Sequence, residues 1–144
     1  MDQIYAGHGI EFKYPGEWQL NVDEQLDEVS ITVSSAQTSF WSLSLFLDRP
    51  APEEIMEAVL DAFREEYDEL DFYPAKARLC RRPTLARDIE FVCLELLNSA
   101  WARVFRGPRA TVLVLYQAND REIEENGSVL EAMTRSLRLQ HDEA

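Results

Sequence analysis

The sequence contains little histidine and cysteine, and this scarcity argues against a metal site of the zinc type. Its 144 residues include two histidines and two cysteines, Cys80 and Cys93, which form no C-x-x-C pair. A zinc site takes about four Cys, His or carboxylate ligands, so we expect no metal site, and we predict a protein that works without a cofactor. The first residues carry neither a basic nor an apolar segment, so we predict no signal peptide, a cytoplasmic protein and two buried free thiols.

The sequence is also short of basic charge and of long apolar runs. It has 14 basic against 27 acidic residues, a formal net charge of −13. Nucleic acids and anionic membranes attract clustered Lys and Arg, so we expect neither as a partner. No apolar run approaches the roughly 20 residues of a membrane-spanning helix. The charge instead favours encounters with basic partners.

The remaining composition is that of a globular protein. Apolar residues make up 46% of the chain and charged residues 28%, which are ordinary values for a folded protein. Domains cluster near ~100–150 residues, and the sequence contains no linker, repeat or low-complexity segment. We therefore predict that residues 1–144 form a single domain.

Alternation of apolar and polar residues predicts antiparallel strands along most of the chain. The predicted strands are 9–14, 18–22, 29–33, 41–47, 72–79, 89–97, 101–106 and 111–116. Strands 9–14 and 18–22 form a hairpin across Pro15–Gly16, and 29–33 pairs with 41–47 in a second hairpin. The last three strands form a meander with turns at 98–100 and 107–108.

Helical spacing predicts two helices. Pro52 suits a first helical position, and apolar residues recur every three or four positions from Ile55 to Leu70. The second helix starts at Ser128, which forms a capping box with Glu131. Two helices that interrupt an antiparallel sheet predict an α+β sandwich.

Two segments resemble a known family. The Gly-Ile-Glu-Phe-Lys-Tyr-Pro-Gly-Glu-Trp segment at 9–18 resembles the opening signature of the PsbP/Mog1-like superfamily, in which a strand that ends in Tyr-Pro turns into a strand that begins near a Trp. Residues 130–138 resemble that family's closing helix, and the element order agrees. The resemblance implies a twisted antiparallel sheet of about six to seven strands flanked by two main helices.

The resemblance also implies a kind of function. Proteins of this superfamily are mostly adaptors and chaperones rather than enzymes. It therefore implies a non-catalytic protein-binding module with a protein partner, and it allows a homodimer. The sequence agrees in one respect, because it contains no motif of nucleophilic, zinc-dependent or nucleotide-dependent catalysis.

One charge pair stands out in the meander. If 98–100 is a turn, Glu95 lies opposite Arg103 on the face that carries Trp101. A charge pair among apolar neighbours destabilises a fold unless it is satisfied. Two interpretations stay open: a cross-strand ion pair, or a groove in which Arg103 binds a carboxylate. The second supports the alternative function of a small-molecule binder or an enzyme with a pocket near Glu95 and Arg103.

Two further features are candidates for an interaction surface. Trp41 follows a polar loop, and Trp is enriched at binding hot spots. The candidate binding residues are Trp41, Glu95, Trp101 and Arg103. The basic cluster comprises Arg78, Arg81, Arg82 and Arg87. It either orients an acidic partner or pairs with the acidic face of the first helix.

Overall fold

A seven-stranded antiparallel sheet forms the centre of the computed structural model, which describes residues 2–140. The strands in chain order are β1 (Asp2–Gly7), β2 (Ile10–Pro15), β3 (Gln19–Glu24), β4 (Glu28–Ser34), β5 (Phe40–Phe46), β6 (Leu70–Ala75), β7 (Arg78–Leu79), β8 (Arg82–Pro83), β9 (Leu85–Cys93), β10 (Leu96–Arg106), β11 (Thr111–Asn119) and β12 (Arg138–Leu139). The helices are α1 (Pro52–Glu66) and α2 (Ile123–Ser136).

The strands form three sheets. The main sheet has the order β3-β4-β5-β11-β10-β9-β6, a three-stranded sheet has the order β1-β2-β12, and β7 pairs with β8 alone. Every pairing is antiparallel. The predicted α+β class, with a sheet of about seven strands and two main helices, is confirmed.

Helix α1 covers one face of the main sheet. Its buried side chains are Ile55, Met56, Leu60 and Phe63, and they pack on apolar residues of β9 and β10. The first turn carries Pro52 and two acidic residues, as helix geometry and dipole favour. The helix ends at Glu66 rather than near Leu70, because Leu70 begins β6.

The other face is covered by α2 and by the three-stranded sheet. Phe12 of β2 is fully buried, and its ring centroid lies 4.6 Å from that of Trp41 in β5. Leu130 and Met133 of α2, and Leu137 directly after it, belong to the same cluster. The central strands β10 and β11 are therefore buried on both faces over much of their length. Neither helix within residues 2–140 has the length and apolar content to cross a bilayer.

The predicted hairpin of 9–14 with 18–22 is wrong. Strand β2 pairs with β1 across His8–Gly9 and with β12 on its other side, while β3 pairs only with β4. The physical reason is burial. Ile10 and Phe12 become fully buried when β2 lies over the main sheet, whereas β3 has one half-buried residue and suits an exposed edge.

The predicted meander turn at 98–100 is also wrong. The chain reverses at Leu94 and Glu95, whose φ angles are 52° and 65°, and Asn98 lies inside β10. Two-residue hairpin turns of this kind favour Asn and Gly, so the usual sequence signal is missing here. The true register places Arg103 opposite Ala86 and leaves Glu95 exposed in the turn. The predicted pairing of Glu95 with Arg103 is therefore wrong.

This turn leads to a prediction about stability. Leu94→Asn is expected to raise the free energy of unfolding by about 1 kcal/mol, because a left-handed conformation is unfavourable by roughly 1–2 kcal/mol for ordinary residues and less so for Asn. Urea unfolding measures the change. Leu26→Asn is the matched control, since Leu26 and Leu94 are 92% and 91% exposed and only Leu94 has a positive φ. Equal effects at both positions would contradict the prediction.

Helix α2 starts earlier than the capping box predicts. It begins at Ile123 and passes through Asn126 and Gly127 without a break. The Asn126 side chain donates to the Ser39 hydroxyl oxygen at 3.0 Å, so a tertiary contact stabilises a residue that disfavours helix interiors. Glu131 forms no capping box and instead accepts a hydrogen bond from the Tyr116 hydroxyl at 2.9 Å.

Candidate functional site

Arg103 is a buried charge within the apolar face that α2 covers. The strand register places it in one row with Ile31, Leu43, Val114 and Ala86. Its side chain is 9% exposed. Arginine is rarely buried without a partner, so the contacts of its guanidinium group define what this region can bind.

The guanidinium group is held by its own sheet. Nη1 donates to the carbonyl oxygens of Arg87 at 3.1 Å and Ala102 at 3.2 Å. Nη2 lies 2.9 Å from Oδ1 of Asp88, a half-exposed carboxylate, but without the alignment of a hydrogen bond. No residue among 2–140 accepts a hydrogen bond from Nε. The charge is thus fixed in place while part of its donor edge stays open.

A pocket of about 260 Å³ lies beside Arg103, between α2 and the segment that leads into β7. Its lining residues are Lys76, Ala77, Arg78, Leu79, Arg103, Tyr116, Glu131, Thr134 and Arg135. We call it the Arg103 pocket. Strands β10 and β11 position Arg103 and Tyr116 at its floor, and the exposed side of α2 provides Glu131 and Arg135.

The Arg103 pocket is cationic in an acidic protein. Four of its lining side chains are basic and one is a carboxylate, whereas the whole chain carries −13. Lys76 and Arg135 are exposed and have no ion-pair partner within the described residues. At physiological salt, exposed charges act over about 8 Å, so an anion at the pocket experiences these cations more than the distant acidic surface.

Tyr116 donates a hydrogen bond in this pocket. Burial, followed by the nearby charge of Glu131, raises the pKa of the Tyr116 hydroxyl well above its ordinary value. The phenol therefore stays protonated at neutral pH and donates to Glu131 Oε1 at 2.9 Å. It cannot act as a base, but it fixes the position of the one carboxylate in the lining.

Within residues 2–140, the lining contains no Ser–His or Cys–His pair of the kind used in nucleophilic catalysis. It contains no Ser, Cys or His among the described residues. The Thr134 hydroxyl donates to the Leu130 carbonyl at 2.7 Å and accepts from Trp41 Nε1 at 3.0 Å, so it is fully engaged. The arrangement can bind an anion, because basic side chains outnumber carboxylates four to one in its lining.

The structure separates the four candidate residues. Arg103 lies in the pocket, and the half-buried Trp101 stands beside it, with its ring stacked on Tyr116 at 5.1 Å. Trp41 is 0% exposed, so its placement at an interaction rim is wrong; the loop before it is closed over by α2. Glu95 is exposed in the turn and does not line the pocket.

The pocket contains residues that sequence reasoning missed. Lys76, Tyr116, Glu131 and Arg135 were not candidates. The spacing of Glu131 and Arg135 by one helical turn was a usable signal, since such residues share a helix face. Of the basic cluster, Arg78 lines the pocket and Arg82 lies over the Phe105 ring at 5.6 Å. The rest of the pocket depends on which loop meets α2, which the sequence does not state.

A second polar cluster is fully satisfied and holds the fold together. Glu122 is 6% exposed and accepts hydrogen bonds from the backbone amides and hydroxyls of Thr38 and Ser39 and from Asn119 Nδ2. Burial alone would raise the pKa of Glu122, but these hydrogen bonds outweigh burial and hold the pKa below its ordinary value. A carboxylate with so many donors fastens the β4–β5 loop to α2 and is closed to ligands.

Metal-binding side chains do not converge in the described structure. Residues 2–140 contain no group of three or more His, Cys, Asp and Glu side chains placed to hold a metal ion. Cys80 and Cys93 are half-buried and are not joined to each other by a disulfide. The Cys80 thiol donates to the Leu137 carbonyl at 3.6 Å, which ties the β7–β8 turn to the end of α2.

Comparison with known proteins reveals the fold but no family. No protein-family model matches the chain, and no curated protein sequence matches it. Among solved structures, LpqN, involved in cell envelope biogenesis of Mycobacterium tuberculosis, is similar at a TM-score of 0.52 and 10% identity, over 96% of this chain and 90% of LpqN.

Two other solved structures share the fold. A protein of Bacteroides thetaiotaomicron matches at a TM-score of 0.60 and 8% identity over 98% of this chain, which spans 48% of that protein. PA94 of Pseudomonas aeruginosa, a protein of unknown function, matches at a TM-score of 0.52 and 8% identity over 90% of this chain and 91% of that one. At these identities the likeness concerns the fold alone.

Proposed function

We propose that this protein is a non-catalytic binding module that captures a carboxylate group of a protein partner in the Arg103 pocket. The observation that carries the proposal is the buried guanidinium group of Arg103, which is held by two backbone carbonyls and the half-exposed Asp88 carboxylate and lines a cationic cavity. An arginine fork recognises a planar carboxylate with two parallel hydrogen bonds.

The charge distribution of the protein favours a ligand with one compact anionic group over a partner with an extended acidic surface. Four of the 14 basic residues line the pocket, whereas the chain as a whole has a formal net charge of −13. An extended acidic partner would be repelled outside the pocket, whereas one carboxylate would meet mainly the local cations. A chain terminus or a single acidic side chain of a partner fits this description.

The resemblance to the PsbP/Mog1-like superfamily supports the protein partner. Its element order, in which strands and hairpins precede a helix and a long meander leads to a final helix, agrees with the order of this chain. Adaptor-like functions among such proteins are the reason to prefer a protein over a metabolite, and membership of that superfamily is part of the proposal.

A small carboxylate metabolite is the second candidate. The volume of the pocket, about 260 Å³, lies just below the roughly 300–1,000 Å³ of ordinary small-molecule sites. Such a ligand would use the same guanidinium group, so the two candidates differ in what surrounds the carboxylate and not in how it is bound.

Matched peptides test the proposal. A short peptide with a free terminal carboxylate and the same peptide with a terminal amide are titrated into the protein and followed by NMR at the Arg103 Nε–H and the Trp101 indole N–H. We expect binding of the free carboxylate only. Succinate is titrated in parallel, and tighter binding of succinate than of the peptide would favour the metabolite over the protein partner.

Variants show whether the pocket is responsible. Arg103→Lys keeps the charge but loses the fork, and we expect about tenfold weaker binding. Arg135→Gln should weaken binding about two- to fivefold, the effect of an exposed ion pair. Arg121→Gln, an exposed arginine outside the lining, is the control and should change nothing. Carboxylate binding unaffected by Arg103→Lys would contradict the proposal.

A further inference from the structure

A second cavity lies on the same face of the main sheet, near the β10–β11 turn. Its floor is one row of the register, Val29, Leu45 and Val112. Ile10 of β2 and its partner Leu139 of β12 lie over this floor. The cavity has a volume of about 270 Å³ and shares no lining residue with the Arg103 pocket. We call it the interlayer cavity.

The interior of the interlayer cavity is aliphatic. Its floor and roof consist of Val, Leu and Ile side chains, and the two long polar side chains in the lining, His8 and Arg109, are exposed. A polar group placed deep inside would lose its hydrogen bonds to water without replacement. The occupant must therefore present an apolar, flexible portion to the floor.

The size of the cavity favours a single chain. A volume of about 270 Å³ is below the roughly 300–1,000 Å³ of drug-sized pockets. Leu47 lines the cavity and is 46% exposed, so the apolar surface continues to solvent at this point. This volume suits one unbranched hydrocarbon chain that contacts the apolar lining from the side of Leu47.

A positive charge at the opening of the interlayer cavity indicates which polar group the ligand carries. Arg109 is exposed and has no ion-pair partner within the described residues. The His8 ring is already engaged, with Nε2 2.8 Å from Glu24 Oε1 and Nδ1 2.8 Å from the Tyr5 hydroxyl. Arg109 therefore provides the available cation beside an apolar cavity, which complements an anionic head on an apolar chain.

We propose that the interlayer cavity binds a single-chain aliphatic carboxylate, with the hydrocarbon chain against the apolar lining beside Leu47 and the carboxylate at Arg109. The site is independent of the function proposed above, because the two cavities have no residue in common.

A chain-length series tests the apolar part of the site. Hexanoate, octanoate and decanoate are titrated by calorimetry into the whole protein. Each added methylene should tighten binding about fourfold until the cavity is full. Decanol in place of decanoate should bind about two- to fivefold more weakly, since it lacks the ion pair with Arg109. Absence of binding, or affinity that does not depend on chain length, would overturn the proposal.

Variants locate the site. Ala110 lines the cavity and is nearly buried, so Ala110→Leu should fill the cavity and reduce decanoate binding at least tenfold. Leu47→Glu should also weaken binding, because it places a negative charge at the opening without touching the core. Leu94→Glu, at an exposed leucine of another turn, is its matched control and should bind normally. Equal effects of the two Leu→Glu changes would overturn the proposal.

One more comparison separates this site from the Arg103 pocket. Arg109→Gln should weaken decanoate binding about two- to fivefold and leave the peptide carboxylate of the earlier experiment unaffected. Arg135→Gln should do the reverse. Decanoate that loses affinity only with Arg135→Gln would be bound in the Arg103 pocket, which would overturn the interlayer site and support the other.

Discussion

Glu122→Gln is expected to lower the free energy of unfolding by about 3 kcal/mol or more. Glu122 accepts hydrogen bonds from the loop at Thr38 and Ser39 and from Asn119. Hydrogen bonds to a charged group contribute about 1.5–3 kcal/mol each, and an unsatisfied buried donor is unfavourable by about 1–3 kcal/mol. The amide of glutamine would turn a donor toward these donors, so it cannot replace the carboxylate.

The loss should depend on pH in a defined direction. Hydrogen bonding holds the pKa of Glu122 below its ordinary value in the folded protein, and an unfolded glutamate titrates near about 4.3. The carboxylate therefore contributes its full stability above that value, and this contribution is lost as the pH falls through the lower pKa of the folded state. The difference between wild type and Glu122→Gln should be full at pH 7 and shrink below about pH 4.

Urea unfolding at several pH values measures both effects. Glu124→Gln is the matched control, because Glu124 is an exposed residue of the first turn of α2 and forms no hydrogen bond with Thr38, Ser39 or Asn119. A Glu122→Gln protein as stable as this control at pH 7 would show that the loop does not depend on the carboxylate.

The second large effect concerns the attachment of the three-stranded sheet. Phe12→Ala is expected to lower the free energy of unfolding by about 3–5 kcal/mol, the usual loss for a buried phenylalanine. Phe12 is fully buried. Its ring centroid lies 5.4 Å from that of Tyr5 and 4.6 Å from that of Trp41. Its removal leaves a cavity between the layers that the rigid strands cannot close.

Ile4→Ala provides the control for Phe12→Ala. Ile4 belongs to the same small sheet but is 60% exposed, so its truncation should change stability by no more than about 0.5 kcal/mol. Urea unfolding followed by Trp fluorescence reports the change, since Trp41 lies against Phe12. A Phe12→Ala loss as small as that of Ile4→Ala would mean that the sheet is not held by this contact.

Periodicity located most elements because each of them buries one side. Helix α1 and the β4–β5 hairpin show this most clearly, with apolar residues on a single face that meets the core. Strand β2 was found for the same reason. Its partners were not, because alternation indicates which side of a strand is buried and says nothing about which strand lies next to it.

Turn positions were predictable only where ordinary turn residues occur. Gly107 and Pro108 separate β10 from β11 as expected. The turn at Leu94 and Glu95 contains no such residue. The prediction therefore placed the turn at Asn98, a residue type that is more common in turns. Because a register shift changes every cross-strand pair, this one error produced the incorrect partner for Arg103.

The candidate site was predictable in part. Arg103 stood out because a charge among apolar strand residues requires an explanation, and the structure places it in a pocket. Lys76 and Arg135 could not be linked to it, since they are far apart in sequence and meet only where the loop before β7 approaches α2. The interlayer cavity could not be anticipated at all, because it depends on the small sheet whose pairing was misassigned.

The three-stranded sheet joins strands from the two ends of the chain, which matters for folding during synthesis. Strand β2 lies between β1 and β12, and the Lys13 amide meets the Ser136 hydroxyl across 123 residues. On the ribosome, β2 therefore emerges long before the strand that covers its second edge, and an open strand edge is a template for association with other chains. During synthesis, this edge of β2 therefore stays without its partner strand until nearly the whole chain has been made.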